Sequence, residues 1–220
     1  MEYPKINSLW KRDMDSNKKF HKLIEPTSGE GGYACPEFAS QKKWRVQEKI
    51  DGTNIRILSL CNSAIANSHS VDFMGRTKNA QLHPKLLEML QTINLEPLNE
   101  KFENHNAVLF GEGFGAGIQS GGIYRKDMSF ILFDVYMNGR WSTREEVSQF
   151  AEMLNLETPH DFGLMTEDEI VSFVKSKPRG KYGNGNYILE GVIARSEPLV
   201  RFNTMSANPV AWKLKVKDFK

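Results

Sequence analysis

The stretch WRVQEKIDGTNIRI, residues 44–57, places two strand-like runs on either side of Asp51-Gly52. Each run is rich in β-branched or aromatic residues, which is typical of strands. Asp-Gly is a common two-residue hairpin turn. The stretch therefore predicts an antiparallel hairpin, with charged Lys49 at the end of its first strand.

Similar runs extend along the chain, which indicates a protein rich in β-structure. The predicted strands are residues 44–50, 54–60, 107–111, 129–136, 187–194 and 210–216. No internal repeat and no linker divides the sequence, so we expect a single domain over residues 1–220, built around one core.

Three segments between these strands have helical patterns. HPKLLEML places Pro84 at the first turn of a helix. Two capping boxes begin the other helices, Thr143 with Glu146 and Thr166 with Glu169. The apolar face of the second helix consists of Val147, Phe150, Ala151 and Leu154. Because strands and helices do not alternate strictly, we expect an α+β fold with largely antiparallel sheets flanked by helices.

Composition narrows the class of protein. The 220 residues are 40% hydrophobic and 25% charged, as in an ordinary globular chain. The longest apolar run, FILFDVYM, is shorter than the roughly 20 residues that span a bilayer, and the N-terminus lacks a signal-peptide pattern. We therefore expect a cytoplasmic protein with no membrane partner. Cys35 and Cys61 lack the spacing of a metal site. The net charge is +2, so nucleic-acid affinity would require a local basic patch.

Lys49 allows two interpretations. A lysine amine has a pKa of about 10.4 and becomes a nucleophile when burial or nearby positive charge favours its neutral form. Alternatively, it is an edge-strand lysine that discourages aggregation. The residues around Lys49 do not by themselves decide between the two.

Other motifs follow Lys49 in a fixed order. They are EKIDGTN, MGRTKN at 74–79, FGEGFG at 110–115, SFILFDVY at 129–136, LEGVIAR at 189–195 and WKLK at 212–215. This set resembles the covalent nucleotidyltransferase superfamily of polynucleotide ligases and mRNA capping enzymes. Within it, the chain is most similar to the ATP-dependent RNA ligases, especially the phage-type nick-sealing branch. The resemblance covers residues 44–217.

The resemblance implies a fold, an activity and cofactors. The fold would be a nucleotidyltransferase (adenylation) domain with an ATP-grasp-like ligase core. Lys49 would attack the α-phosphate of ATP and carry AMP, with Mg²⁺ or Mn²⁺ as the metal. AMP would then pass to the 5′-phosphate of a polynucleotide, preferably RNA, before a 3′-hydroxyl closes the strand. We expect the protein to act as a monomer.

The resemblance also assigns residues to the nucleotide. Glu48 would contact adenine, and Phe130 rather than Phe133 would stack on it. Glu112 would contact the ribose, and Ile50 would belong to the nucleotide site. The local alternative for Phe130 is an ordinary core position.

A second group of residues is assigned to phosphate and metal. Arg76 would bind phosphate, and Asn54 would bind the nucleotide or a nucleic-acid phosphate. Glu190 would hold the divalent cation or its water shell, the alternative being a buried ion pair. Lys213 and Lys215 alternate on the last strand and so share a face, where their charges would neutralise phosphate and lower the pKa of Lys49. Their alternative is a solvated terminal strand.

Some features leave the function open. By the resemblance, Asp51 stands where the nick-sealing branch has histidine. Because the sequence ends five residues after Lys215, we expect no C-terminal OB or accessory domain of the kind found in relatives. A minimal ligase and an isolated domain both fit. The glycine-rich segment 176–186 carries Lys177, Arg179 and Lys181, which suit a nucleic-acid strand or a surface loop. A DNA ligase, a GTP-using capping domain and a silent nucleic-acid-binding module remain alternatives.

Overall fold

The computed structural model describes residues 1–12, 23–24, 32–61, 69–102, 105–182, 185–204 and 207–219. Its strands are β1 (Asn7–Ser8), β2 (Trp44–Glu48), β3 (Thr53–Cys61), β4 (His69–Gly75), β5 (Asn106–Phe114), β6 (Ser129–Met137), β7 (Arg140–Trp141), β8 (Asp161–Met165), β9 (Gly191–Ser196) and β10 (Ala211–Lys215). Its α-helices are α1 (Pro84–Leu90), α2 (Glu96–Lys101), α3 (Arg144–Met153) and α4 (Glu167–Lys175). Short 3₁₀-helices span Pro36–Ser40, Gly121–Ile123 and Val216–Phe219.

The strands of the described ranges form two five-stranded sheets. One has the order β4-β3-β5-β6-β7 and the other the order β1-β10-β9-β2-β8. The pairings within both sheets are antiparallel, apart from β1 with β10. The predicted α+β class with largely antiparallel sheets is confirmed.

The chain divides into two compact units, each with its own hydrophobic cluster. The first unit comprises Met1–Tyr3 and Ile50–Pro159, and the second comprises Pro4–Lys49 and His160–Lys220. The expectation of one core is therefore wrong. That residues 1–220 act as one nucleotidyltransferase domain stays a prediction.

In the first unit, helices cover one face of the sheet. Leu86 of α1 and Phe150 of α3 pack in one cluster with Ile55 of β3 and Leu132 of β6. Both predicted capping boxes form, and Pro84 occupies the first turn of α1. The four residues predicted for the apolar face of α3 all lie in this cluster.

The first residues of the chain also belong to this unit. The Tyr3 hydroxyl donates to Asp134 at 2.7 Å, and the buried Arg56 donates from Nη1 to the Met1 carbonyl at 2.6 Å. The Tyr3 ring packs against three aromatic rings, those of Phe110, Phe133 and Trp141. The N-terminus is therefore part of the packing of the first unit.

In the second unit, alternate residues of the strands form the core. Trp44 and Trp212 pack edge to face, with ring centroids 5.4 Å apart, and Ile170 and Val174 of α4 lie in the same cluster. The intervening residues of β10, including Lys213, point to the other face of the sheet.

The predicted hairpin at Asp51-Gly52 does not form, since β2 pairs with β8 and β9 whereas β3 pairs with β4 and β5. That prediction is wrong. The two residues instead connect strands of different sheets. Glycine is required there for another reason, because a Cβ on Gly52 would overlap the carbonyl oxygen of Gly113.

Other boundaries also differ from the predictions. Residues 187–190 precede β9 instead of forming its start, and α2, β4 and β8 were not predicted. In the described ranges, no helix is long and apolar enough to cross a membrane.

Candidate active site

A cluster of lysine and carboxylate side chains lies where β2 ends, β9 begins and β10 ends. Lys49 follows β2, and its backbone N–H donates to the Gly191 carbonyl at 3.0 Å. The Lys49 ammonium donates to Oε2 of Glu190 at 2.7 Å, and the Lys215 ammonium donates to Oε1 at 2.6 Å. One carboxylate therefore holds two lysines.

This arrangement depends on a close approach between two strands. A Cβ on Gly191 would overlap the Leu214 carbonyl oxygen, so the residue after Glu190 has no room for a side chain. The Val216 N–H also donates to the Glu190 carbonyl, at 3.0 Å. These backbone contacts thus fix the position of the Glu190 backbone, so that its side chain can reach both Lys49 and Lys215.

Lys213 and Lys215 share a face, as predicted, while Trp212 and Leu214 between them are buried in the core. The same face holds the Lys49 ammonium, since both Lys49 and Lys215 contact Glu190. The side chains of Lys49, Glu190 and Lys215 are 19%, 16% and 18% exposed. They are partly withdrawn from water but still accessible to a ligand.

Lys213 shows how strongly positive this face is. Its pKa is lowered from its ordinary value of 10.5 to about 8, first by burial and then by the positive charges of Lys215, Lys49, Arg12 and Lys5. Burial and each of these positive charges disfavour the ammonium. A bound anion would reverse this effect, so the face suits phosphate.

Glu190 forms ion pairs with Lys49 and Lys215, in line with the ion-pair interpretation that was the alternative to metal binding. Its role as a metal ligand stays a prediction. Within the described part of the chain, no three His, Cys, Asp or Glu side chains gather to hold a metal. Mg²⁺ commonly binds to one or two carboxylates together with phosphate and water oxygens, and Glu190 could provide one such carboxylate.

Glu48 points away from the lysines, because neighbouring residues of a strand alternate. Its carboxylate is 1% exposed and accepts from the Tyr187 hydroxyl and, at 2.8 Å, from the Lys181 N–H. A Cβ on Gly180 would overlap the Tyr187 ring. Glu48 thus ties down the segment before β9, and its contact with adenine stays a prediction.

That segment contains the predicted nucleic-acid residues. Lys177, Arg179 and Lys181 are exposed, as both of their interpretations require. The segment folds back on itself, with the Gly180 N–H donating to the Tyr187 carbonyl at 3.0 Å. Lys177, Arg179 and Lys181 therefore lie close in sequence to this backbone contact, and their contact with nucleic acid stays a prediction.

In the first unit, Asn54 of β3 and Glu112 of β5 are directly opposite each other and half-buried. The Asn54 Oδ1 atom is buried and has no hydrogen-bond partner within the described ranges. Because directly opposed residues of a sheet point to the same face, the two polar groups converge. These acceptor oxygens suit a ligand hydroxyl, which can donate a hydrogen bond.

Phe130 lies on the other face of that sheet. It is 4% exposed and belongs to the helix-covered cluster, with its ring against Gly111, whereas Ile131 is the residue opposite Glu112. This is the core position that the alternative interpretation gives to Phe130, and the stacking of Phe130 on adenine stays a prediction. Phe133, which the sequence interpretation set aside, contacts Tyr3 together with Phe110 and is half-buried. Phe110 and Glu112 are two residues apart on β5 and therefore share a face of the sheet. Phe133 lies on this face too, since it contacts the same Tyr3 ring as Phe110.

Three other residues complete the placement of the predicted set. Arg76 is exposed in the turn after β4, and Ile50 is 4% exposed. Asp51 accepts from the Ser120 N–H at 3.3 Å, and its own N–H donates to the Tyr124 hydroxyl at 3.0 Å. Asp51 therefore anchors the glycine-rich loop after β5, a role that its sequence did not reveal.

We predict that Tyr187→Phe destabilises the second unit. The change leaves a buried carboxylate with one donor fewer, which costs about 1–3 kcal/mol of the free energy of unfolding. Urea denaturation would measure it. Tyr136→Phe, at a half-buried tyrosine of the first unit, should change stability by less than about 0.5 kcal/mol. Equal stability of wild type and Tyr187→Phe would contradict the role of this hydroxyl.

We also predict that Lys213→Met stabilises the ligand-free protein at neutral pH. The folded chain releases the Lys213 proton near pH 8 and the unfolded chain near 10.5. Between these values the unfolded state binds more protons, so this residue makes the free energy of unfolding rise with pH. The advantage of Lys213→Met should therefore be full below about pH 8 and shrink towards about pH 10.5.

Denaturant unfolding of both proteins across this pH range would measure the difference. Lys43→Met, at an exposed lysine, provides the control and should show no such trend. A Lys213→Met difference that stays constant with pH would contradict the prediction.

Comparison with known proteins identifies the family. Residues 42–212 match the model of the family described as RNA ligase. No curated protein sequence matches the chain.

Solved structures of Naegleria gruberi RNA ligase variants resemble the chain. A variant with AMP and manganese has a TM-score of 0.59 and 18% identity, covering 84% of this chain and 53% of the other. A variant without ligand has a TM-score of 0.58 and 18% identity, covering 82% and 51%. A variant with ATP and manganese has a TM-score of 0.57 and 17% identity, covering 81% and 50%.

At these identities the matches show a shared fold. The chain spans about half the length of the solved structures it resembles. The family match extends over most of the sequence and includes Lys49, Glu190 and Asn54. This chain therefore belongs to the RNA ligase family.

Proposed function

We propose that this protein is an ATP-dependent RNA ligase that joins a 5′-phosphate to a 3′-hydroxyl through AMP bound covalently to Lys49. The observation that carries the proposal is the contact of one carboxylate, Glu190, with both Lys49 and Lys215. It holds a potential nucleophile on a face rich in positive charge. ATP and Mn accompany a Naegleria relative of the same fold, which supports the choice of nucleotide and metal class.

In the first step, the neutral Lys49 amine attacks the α-phosphorus of ATP. An N–P bond forms, the P–O bond to pyrophosphate breaks, and the lysine proton passes to solvent. Lys213 and Lys215 offset the charge of the phosphate oxygens. A divalent cation, when bound at Glu190, would supply further neutralisation of these oxygens.

Lys49 must first leave its ion pair, because Glu190 stabilises the ammonium form at 2.7 Å. Anionic phosphate beside Lys215 and Lys213 would compete with Glu190 for these cations. The contact with Glu190 thus holds Lys49 as an ammonium, and substrate binding would release the amine for attack.

The later steps transfer AMP and seal the strand. An oxygen of the 5′-phosphate attacks the AMP phosphorus, and the P–N bond to Lys49 breaks as the amine recovers a proton. The 3′-hydroxyl then attacks the 5′-phosphorus and releases AMP, with loss of the hydroxyl proton. These steps need contacts with a polynucleotide, for which the basic turn of Lys177, Arg179 and Lys181 is our candidate.

We predict that label from α-labelled ATP, and not GTP, attaches covalently to the protein in the presence of Mg²⁺. Lys49→Ala should reduce the label to background. Among the described residues, no other lysine occupies the position of Lys49 beside Glu190 and Lys215. Denaturing electrophoresis would measure it. The bond should be acid-labile and alkali-stable, as a phosphoramidate is.

Lys43→Ala, at an exposed lysine just before β2, is the matched control and should retain full labelling. Label that persists in Lys49→Ala would refute the nucleophile. Labelling by GTP alone would assign the chain to the capping class, and absence of label with retained nucleic-acid binding would favour a silent binding module.

We predict that strands with RNA on the 3′-hydroxyl side are joined best and that the basic turn supports sealing. The triple change Lys177→Gln, Arg179→Gln, Lys181→Gln should slow sealing of a nicked duplex more than it slows lysine adenylation. Each cation that contacts a phosphate contributes about 0.9 to the slope of log affinity against log salt, so the slope should fall accordingly. Gel-based joining and salt-dependent binding would measure both effects.

Neutralising exposed Lys42, Lys43 and Lys85 together provides a control of equal charge. An equal loss in both triple variants would remove the turn from the proposal. DNA nicks joined at least as well as RNA nicks would overturn the RNA preference. Adenylation without joining of any substrate would favour an isolated domain.

A further inference from the structure

Arg12 reaches the lysine-rich face from the N-terminal segment. Strand β1 runs parallel to β10 at its edge, with Ser8 opposite Lys213. The Arg12 Nη2 donates to the Ser8 Oγ at 2.7 Å and to the Asp218 Oδ1 at 2.9 Å. The other Asp218 oxygen accepts from the Lys215 N–H at 2.9 Å. The guanidinium is thereby fixed beside the end of β10.

The sheet arranges these cations in a row. The strand order is β2, β9, β10 and β1, and adjacent strands lie about 4.8 Å apart. Lys49 follows β2, Lys213 and Lys215 belong to β10, and Arg12 is bonded to a residue of β1. A single phosphate at Lys49 would meet Lys215, and a ligand would need further phosphates to reach Arg12.

Positive charge dominates this row. The Arg12 side chain is 32% exposed, whereas its partner Asp218 is 3% exposed. Arg12, Lys49, Lys213 and Lys215 thus share the face with the carboxylates of Asp218 and Glu190. The charges of Arg12 and Lys5 are also among those that disfavour the Lys213 ammonium. A polyanion along the row would relieve this repulsion.

We propose that Arg12 binds the outer phosphates of ATP, the group released as pyrophosphate when Lys49 is adenylated. The inference rests on the proposed function, because it assigns Arg12 a place in the same site. A planar guanidinium suits this ligand, since it can donate two parallel hydrogen bonds to phosphate oxygens. The competing explanation is that Arg12 merely ties the N-terminal segment to Asp218.

Two substitutions separate these explanations. Arg12→Gln and Asp218→Asn each break the ion pair, but the first removes a cation and the second an anion. Binding of inorganic pyrophosphate to the ligand-free protein, measured by calorimetry, should weaken about tenfold or more in Arg12→Gln. It should stay equal or become tighter in Asp218→Asn. Equal weakening in both variants, or unchanged affinity in Arg12→Gln, would overturn the proposal.

The controls address folding and ligand identity. Arg140→Gln breaks a two-bonded ion pair with Glu146 in the first unit and should leave pyrophosphate affinity unchanged. Arg12→Lys keeps the charge and should lose less affinity than Arg12→Gln, which tests the role even if the glutamine variant is poorly folded. A folded Arg12→Lys that binds pyrophosphate no better than a folded Arg12→Gln would overturn the proposal, because restoring the charge would then restore no affinity. Loss in Arg140→Gln as large as in Arg12→Gln would overturn the assignment.

A further measurement separates ATP phosphates from those of a polynucleotide. In Arg12→Gln already loaded with AMP, transfer to a 5′-phosphorylated RNA should proceed at the wild-type rate. A selective loss at this step would assign Arg12 to RNA and overturn the pyrophosphate site. Failure of wild type to become labelled by ATP, with Arg12-dependent pyrophosphate binding intact, would refute the proposed function and leave the anion site standing.

Discussion

The Glu190 carboxylate, placed between two ammonium groups, is the interaction on which the site depends. A carboxylate 16% exposed would be poorly solvated alone, and two lysines so close to each other would repel. Together they satisfy each other at hydrogen-bond distance. The tight contact at Gly191 and the register of β9 with β10 position the side chains of Glu190, Lys49 and Lys215. The geometry of the site therefore depends on the packing of the backbone.

Glu48, the last residue of β2, and Lys49, which follows it, make different contacts because successive side chains of an extended chain alternate. Glu48 is turned towards Tyr187 and Lys181 and holds the segment before β9, whereas Lys49 is turned towards Glu190. The strong pairing of β2 with β8 and β9 keeps both orientations at once. A shift of one residue in register would bury Lys49 and expose the buried carboxylate of Glu48.

Local rules predicted those parts of the fold that local interactions determine. The capping boxes at Thr143 and Thr166 are set within one helical turn, and the shared face of Lys213 and Lys215 follows from strand alternation. The hairpin predicted at Asp51-Gly52 was wrong because turn residues do not specify which strands will pair. Which of Phe130 and Phe133 faces Glu112 could not be predicted either, since the run SFILFDVY is largely apolar on both faces and does not show which face the helices cover. The contacts of Arg12 and Tyr187 could not be predicted, because their partners, Asp218 and Glu48, lie 206 and 139 residues away in the sequence.

The packing of the first three residues limits how far the chain can be shortened for expression. A fragment cut to the family match at residues 42–212 would lack Met1 and Tyr3. Arg56 would lose its carbonyl acceptor, Asp134 a hydroxyl donor, and the aromatic group around Trp141 one of its rings. Boundaries drawn from sequence similarity alone would therefore open a gap in a unit whose remaining residues are all retained up to Pro159.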